Sequence, residues 1–210
     1  IYTNYGQFEF PNPDDPDKHI FKKLARYQIA IGSGYRAGPL STETTDHLFV
    51  INDFDINKAP TNGYQSVDIS DLANHDSFDS ASLQQKRNGF YITLQDQGEK
   101  ILSTTLTVND VIYAPTFRPS NNAIEVGCEP DAGQARVLLI NPYEAPDTTE
   151  RNVQQIELNQ GGIVPKPVLV FPPANPTTGA SSKPVIAIGT EILPAEGNFT
   201  MFRKTYWREE

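Results

Sequence analysis

Short apolar runs, separated by turn-forming residues, extend along the whole chain. The 210 residues include 17 Pro and 14 Gly, spread throughout. The apolar residues between them form runs of about four to eight, without the three-to-four spacing of an amphipathic helix. This pattern predicts an all-β protein. The predicted strands are residues 27–31, 48–51, 90–94, 101–108, 111–117, 137–140, 153–158, 168–171, 185–188 and 199–205.

The clearest local signal is a hairpin in the middle of the chain. Residues 102–108 alternate between two faces with a period of two, as expected of a half-buried strand. Asn109 and Asp110 follow, and both residue types tolerate the backbone of a two-residue turn. The chain then continues into the apolar residues 111–113. We therefore predict an antiparallel pair joined at Asn109-Asp110.

Helical signals are few. Residues 67–73 and 80–87 each have room for two turns, and the second ends at Asn88-Gly89, a typical helix stop. Residues 11–17, rich in Pro and Asp, predict a loop. We predict one partial domain over residues 1–210, with loop-rich insertions at 1–26 and 54–88.

A weak internal repeat organises the predicted strands. Three segments share an apolar strand, a variable polar loop and a second apolar strand. Antiparallel units repeated in this way are the building blocks of a β-propeller, whose ring contains about four to eight blades. Three units cannot close a ring, so we expect part of a propeller. The paired segments are 27–32 with 47–51, 109–114 with 135–140, and 183–189 with 199–203.

Composition and charge exclude several classes of function. The apolar share is 38%, and no apolar run approaches the length of a transmembrane helix. The net charge of -9 argues against nucleic acid as a ligand, because phosphate backbones are bound through clusters of Lys and Arg. Cys128 is the single cysteine and lies among acidic residues, which favours a structural thiol over a reactive one. No signal segment follows Ile1, so the N-terminus gives no localisation.

One stretch resembles the first half of a calcium-binding loop. Asp53, Asp55 and Asn57 place oxygen ligands at alternate positions, as a calcium loop does. Lys58 stands where such a loop has Gly, and Tyr64 stands where it has a bidentate Glu. A polar turn after the strand is favoured, and calcium is the weaker alternative. No metal site is predicted with these ligands.

No catalytic or cofactor-binding residue is predicted. Gly32-Ser33-Gly34 matches neither a dinucleotide fingerprint nor a nucleophile elbow, so a tight turn with positive φ is favoured. The three histidines are dispersed and lack the spacing of a zinc site. We therefore expect a protein that is not an enzyme. The histidines are His19, His47 and His75.

Three pieces of the chain, in order, resemble one known family. Residues 29–40 read IAIGSGYRAGPL and are followed by DHLFVI at 46–51. Residues 98–103 read GEKILS and precede VIY at 111–113. This resembles the C-terminal domain of the PilC/PilY-type pilus-tip adhesins of type IV pili, although Gly38 stands where that family has His. The residues that carry the likeness include Gly32, Ser33, Gly34, Tyr35, Arg36 and Pro39, with Tyr206 and Trp207 in the aromatic tail.

The resemblance implies a modified, quinoprotein-like β-propeller at the C-terminal end of a larger secreted protein. It implies an extracellular location at the pilus tip, with passage through the periplasm or outer membrane during assembly. Its implied roles are pilus biogenesis, control of retraction, and adhesion to a surface or host cell. The implied partners are minor pilins and the remaining blades of the propeller. The family's calcium loop has no counterpart here, and we expect it upstream of Ile1.

Two alternative functions remain open on the sequence. A periplasmic, cofactor-dependent propeller enzyme would need convergent ionisable groups in a central pocket, which the sequence does not display. Quinone-dependent propellers hold their cofactor with an adjacent cysteine pair, and this chain has one cysteine. An assembly scaffold without adhesion is the other alternative. For Tyr206 and Trp207, burial in a ring-closing strand is favoured over an exposed patch.

Overall fold

Three β-sheets make up the part of the chain that the structure describes. A computed structural model describes residues 2–54, 63, 66–120, 133–142, 153–173 and 183–196. Within these residues there are twelve strands, β1 to β12, and one short α-helix. The fold is therefore all-β, as the sequence predicts.

The first sheet contains five strands in the order β1-β2-β3-β5-β4. Neighbouring strands are antiparallel, except that β4 runs parallel to β5 over two residues. The strands are β1 (Tyr2–Asn12), β2 (Asp15–Gly32), β3 (His47–Asp53), β4 (Ala73–Asn74) and β5 (Gly89–Thr93).

The second and third sheets are antiparallel and follow the order of the chain. The second sheet comprises β6 (Leu106–Val108), β7 (Val111–Arg118), β8 (Gln134–Ile140) and β9 (Val153–Glu157). The third sheet comprises β10 (Val168–Val170), β11 (Val185–Ile188) and β12 (Glu191–Pro194).

The second sheet lies between the other two, and both of its faces are buried. In β7, Ile112 and Ala114 pack into a core shared with the first sheet, whereas Tyr113 packs into a core shared with the third. This alternation follows from the period of two along a strand. Because no side of β7 or β8 faces solvent, their sequences are nearly continuous apolar runs. The first core includes Leu48, Val50, Phe90, Ile92, Leu138 and Ile140, and the second includes Val137, Leu139, Leu158, Ile186 and Ile188.

The predicted loop-rich insertion at residues 1–26 is wrong, because these residues form a long β-hairpin. β1 and the first part of β2 are paired from Tyr2 to Asn12, and the predicted loop at 11–17 is reduced to a tight turn. Pro11 is tolerated there because β1 is at the edge of the first sheet, with no second neighbour among the described strands. Phe8 packs edge-on against Phe54 with ring centroids 5.0 Å apart, which helps to hold the hairpin against the sheet.

The predicted strand at 101–108 is only partly confirmed. The strand begins at Leu106, while Ile101 and Leu102 are both buried in succession and so do not alternate. The physical reason is that residues 100–101 cross from one sheet to another: Lys100 pairs with Phe117, and the N–H of Ile101 donates to Ser33. The Asn109-Asp110 hairpin is confirmed, with φ of 51° and 65° at the two turn residues.

The helical predictions had different outcomes. Helix α1 (Leu83–Asn88) is capped by Ser82 and ends at Gly89, where φ is 130°, close to the prediction. The predicted helix at 67–73 is wrong, because only the 3-10 turn Ile69–Asp71 forms before β4. No helix in the described ranges is long and apolar enough to span a bilayer.

The repeat is confirmed for its first two units. Residues 27–32 pair with 48–53, and residues 112–114 pair with 138–140, as antiparallel neighbours. In the third unit β11 pairs with β10 and with β12, a strand that the apolar pattern did not predict. The predicted strand at 199–205 lies outside the described residues.

Candidate functional site

The loop that joins β2 to β3, residues 33–46, carries most of the motif residues; we call it the motif loop. Its two ends are locked together. Ser33 Oγ donates to Asp46 Oδ1 over 2.8 Å, and the backbone N of His47 donates to Ser33 Oγ over 2.8 Å. The backbone N of Ser33 also donates to the carbonyl of His47 over 2.8 Å. Asp46 is buried, so this serine satisfies a carboxylate that water scarcely reaches.

The glycines at the start of the motif loop allow it to lie against residues 98–102. A Cβ atom on Gly32 would lie 2.2 Å from Cβ of Ile101, and one on Gly34 would lie 3.0 Å from Cβ of Lys100. The predicted tight turn with positive φ is therefore wrong for Gly32, which is required for space and ends a strand.

Side chains fasten the motif loop to residues 98–102. Lys100 is completely buried, and its Nζ donates to the carbonyl of Gly98 over 2.8 Å and to the carbonyl of Ser41. Arg36 Nη1 donates to the carbonyl of Leu102 over 3.2 Å. Each cation thus donates to backbone carbonyls where the two segments meet. The two segments thus form one unit.

Residues 98–102 are in turn fastened to the second sheet. Lys100 and Phe117 exchange two backbone hydrogen bonds of 2.9 and 2.8 Å. The carboxylate of Glu99, only 3% exposed, accepts a hydrogen bond of 2.6 Å from Thr116 Oγ1. The motif loop, residues 98–102 and strand β7 therefore form a continuous junction between the first and second sheets.

A buried arginine adds a further positive charge to this junction. Arg136 on β8 contacts Asp96 through Nη1 and Glu157 through Nη2 over 3.2 Å, and it lies 4.0 Å from Glu99. Burial alone would lower the pKa of Arg136, but its hydrogen bond to Asp96 and the charges of Asp96, Glu99 and Glu157 raise it above its ordinary value. The guanidinium stays charged and ties three carboxylates to one strand.

The same motif loop presents two exposed side chains. Tyr35 is 64% exposed and Leu40 is 57% exposed. Backbone hydrogen bonds from Gly38 to Tyr35 and from Ser41 to Gly38 fold the tip into successive turns. A Cβ atom on Gly38 would lie 2.9 Å from Tyr35 Cδ1, so glycine lets the ring lie close to the backbone. The junction can therefore hold an apolar pair in a fixed position at the surface.

The motif residues of the sequence prediction fall into two groups. Gly32, Ser33, Gly34 and Arg36 lie at the junction or face it, while Tyr35 points outward. Pro39 lies at the tip of the loop and is half-buried. Tyr206, Trp207 and Cys128 lie outside the described residues.

The weak calcium candidates are only partly described. Asp53 ends β3 and pairs with Tyr27, whereas Asp55 and Asn57 lie outside the described residues. Across the described ranges, no group of three or more His, Cys, Asp or Glu side chains is arranged to hold a metal ion. The three histidines contact different neighbours. These are Glu9 for His19, Phe49 and Tyr91 for His47, and Phe90 for His75.

Sequence reasoning missed the acidic and basic residues of the junction. Glu99 and Lys100 were noted only as part of a likeness, and Asp96 and Arg136 were not singled out. One signal was present: Arg136 is a charged residue inside the apolar run at 135–140. A buried charge in such a strand requires partners, so its position indicated a polar cluster.

Comparison with known proteins supports the fold. No protein-family model and no curated protein matches the chain. Its structure is similar to the crystal structure of the Pseudomonas aeruginosa PilY1 C-terminal domain, with a TM-score of 0.50 and 13% sequence identity. The match covers 90% of this chain but 43% of that one, so the chain spans less than half of that structure. The likeness to this family is thereby confirmed at the level of fold.

Proposed function

We propose that this chain is a non-enzymatic component of the type IV pilus, acting in pilus biogenesis, control of retraction and adhesion. The observation that carries the proposal is the similarity of its fold to the PilY1 C-terminal domain over 90% of the chain. The motif loop adds support, because the first piece of the sequence likeness, residues 29–40, includes the start of that loop.

The proposed mechanism is recognition by a rigid loop on a β scaffold. Binding is strongest where an exposed aromatic or aliphatic side chain is held in place beforehand, because little conformational freedom is lost on contact. Tyr35 and Leu40 meet this description, since the loop beneath them is fixed at Ser33, Arg36 and Ser41. These two side chains form the proposed contact point for a host or abiotic surface.

The proposed location is extracellular, at the pilus tip, after passage through the periplasm or outer membrane. The proposed partners are minor pilins and further blades of a β-propeller to which the three sheets belong. No cofactor is assigned to these residues, and any calcium site of the assembled protein is proposed to lie upstream of Ile1.

A complementation experiment tests the adhesion role. In a strain deleted for the gene, the wild-type gene should restore both pili and attachment. The double variant Tyr35→Ala/Leu40→Ala should restore pili but not attachment, because both side chains are exposed and contribute little to folding. Ala37→Ser, an exposed change in the same loop, serves as the control and should restore both. Normal attachment by the double variant would contradict the proposed contact point.

An assembly scaffold without adhesion is the second candidate. It is favoured by one observation: Gly32 lies against Ile101, the carbonyl of Ser33 accepts from the N–H of Ile101, and Arg36 donates to Leu102. These residues of the likeness therefore serve internal packing. This candidate predicts that the deletion strain loses pili, while residual fibres still attach normally. Counting pili by electron microscopy, alongside attachment per fibre, separates the two candidates.

A further inference from the structure

The outer part of the first hairpin extends beyond the central strands of the first sheet; we call it the arm. It consists of residues 7–12 of β1 and 15–25 of β2. β2 pairs with β3 only from Tyr27 onward, so among the described strands the two strands of the arm pair only with each other. A two-stranded hairpin is marginally stable by itself in water. The arm therefore depends on its contacts with the body of the protein.

Aromatic rings on the inner face of the arm supply these contacts. Phe8 and Phe10 lie on this face, because side chains two residues apart point the same way along a strand. Phe8 is buried and packs edge-on against Phe54, the residue after β3. The opposite face carries Phe21, which is 63% exposed. The arm thus lies with one face against the body and the other face exposed.

Arg87 of α1 joins the rings of the arm to the body. The central carbon of its guanidinium lies 5.3 Å from the ring centroid of Phe10 and 5.3 Å from that of Phe54. A guanidinium within about 6 Å of a ring centroid is attracted by the electrons of the ring, and its planar shape suits stacking on aromatic faces. One arginine therefore contacts a ring of the arm and a ring of the body at the same time.

The central strands of the first sheet hold Arg87 in place. Asn52 on β3 donates from Nδ2 to the carbonyl of Arg87 over 2.9 Å. Two residues after Arg87, Gly89 begins β5 and pairs with Ile51. The arginine is therefore a fixed point of the body, against which the arm is docked.

The base of the arm is fastened separately. Arg26 Nη2 donates to the carbonyl of Pro142 over 3.4 Å, and Gln28 Nε2 donates to the same carbonyl over 3.1 Å. Arg26 and Gln28 are both buried, and Pro142 lies just after the end of β8 in the second sheet. Residues 26–28 are thus attached to the body independently of Arg87.

We infer that the arm is a strap that opens as one unit from residues 26–28 while the three sheets stay folded, and that Arg87 holds it closed. Opening separates Phe8 and Phe10 from Phe54 and Arg87 but leaves the pairing between β2 and β3 intact. It therefore requires less free energy than global unfolding, which exposes both cores. The inference does not depend on the proposed function.

Hydrogen–deuterium exchange of the full chain tests the strap. Arg87→Met keeps a long side chain but removes the cation. Lys86→Met is the matched control, because Lys86 is the preceding residue of α1 and its Nζ lies 5.2 Å from the ring of Phe78, which is outside the arm. Exchange in the arm is compared with exchange in residues 111–118 and 134–140 of the second sheet, which reports global unfolding.

The expected result is faster exchange in the arm alone. In Arg87→Met the arm should exchange about tenfold faster than in the wild type, because the guanidinium loses its contacts with two rings, while the second sheet is unchanged. Lys86→Met should leave both regions unchanged. Equal acceleration in the arm and the second sheet would overturn the inference, since the arm would then open only by global unfolding. An unchanged arm, or the same acceleration in Lys86→Met, would also overturn it.

A second pair of variants tests the ring that Arg87 contacts, and it suffices alone if Arg87→Met does not fold. Phe10→Leu removes a ring from the inner face of the arm, and Phe21→Leu removes the exposed ring from its outer face. Only Phe10→Leu should accelerate exchange in the arm, again by about tenfold. Equal effects of the two changes would refute the strap. These measurements do not depend on piliation, so a negative result leaves the proposed function standing.

Discussion

The hydroxyl of Ser33 accepts a hydrogen bond from the backbone N of His47 and donates one to the carboxylate of Asp46, both over 2.8 Å. One side chain thus joins the end of β2 to the start of β3. Asp46 is only 8% exposed, so its carboxylate depends on protein donors in place of water. The motif loop between these strands therefore has a fixed base.

Replacing this hydroxyl should destabilise the protein. Ser33→Ala leaves the buried carboxylate of Asp46 with one donor fewer, and we expect the free energy of unfolding to fall by about 1–3 kcal/mol. Urea denaturation followed by circular dichroism measures the change. Ser66→Ala, at an exposed position, is the control and should change the stability by less than about 0.5 kcal/mol. A Ser33→Ala variant as stable as this control would contradict the role of the hydroxyl.

Removing the buried ammonium of Lys100 should loosen the motif loop. Lys100→Met preserves the length of the side chain but leaves the carbonyls of Ser41 and Gly98 without that donor. We expect the free energy of unfolding to fall by about 1.5–3 kcal/mol and amide exchange to become faster in residues 33–46. Hydrogen–deuterium exchange mass spectrometry provides the measurement. Lys18→Met, on an exposed side chain paired with Asp15, is the control and should leave exchange in this loop unchanged. Unchanged exchange in the Lys100→Met variant would contradict the role of the ammonium group.

Two arginines beside the same carboxylate should differ in importance. Arg136 and Arg118 both approach Asp96, but the side chain of Arg136 is 7% exposed and that of Arg118 is 34% exposed. Arg136→Ala leaves the buried carboxylate of Glu99 without its cation, and we expect the free energy of unfolding to fall by about 3–5 kcal/mol. Arg118→Ala should cost less than about 1 kcal/mol, because water screens the exposed pair. Thermal denaturation of both variants measures the two losses of stability. Equal losses would contradict the greater importance of the buried arginine.

Stability at high pH should depend on Tyr113. This side chain is fully buried, and its Oη accepts a hydrogen bond of 2.7 Å from the backbone N of Glu196. Burial raises the pKa of Tyr113; the hydrogen bond lowers it, and the nearby charge of Glu196 adds to the rise. The folded state therefore binds the phenolic proton more tightly than the unfolded state. This contribution is complete below the unfolded pKa of about 10 and is lost as the pH rises through the folded pKa.

The Tyr113→Phe variant tests this pH dependence. The free energy of unfolding should fall less steeply above about pH 10 in the variant than in the wild type, because the titrating group is gone. Ser66→Ala, at an exposed position without a titrating group, is the control and should retain the wild-type slope. Denaturation curves at a series of pH values give both slopes. Identical slopes for wild type and Tyr113→Phe would contradict the assignment.

Much of the fold could be predicted because local chemistry and tertiary structure agree. Asn109 and Asp110 adopt the positive φ that a two-residue hairpin needs, and the apolar runs at 111–117 and 137–140 are buried as their composition indicates. The motif residues of the β2–β3 loop are identified through the family resemblance instead, and the close approach of Ile101 that requires glycine at position 32 has no signal in the local sequence.

The remainder could not be predicted because distant partners decide it. β1 contains Pro11 and several polar residues, and it forms a strand only because β2 lies beside it and pairs with it. Arg136 acquires its role only when the fold brings Asp96 and Glu99 to it from another segment. The apolar pattern predicts a strand from residue 101, but the N–H of Ile101 donates to Ser33, just after β2, while Lys100 pairs with Phe117 on β7. No short segment of the sequence contains both partners of these contacts.

The burial of both faces of the second sheet governs how the protein withstands tension. If either outer sheet were pulled away, β7 and β8 would expose a complete apolar face to water, and an isolated sheet of this kind is not stable. The three sheets are therefore expected to rupture as one unit and not to peel off singly. A chain built in this way bears load up to a single threshold.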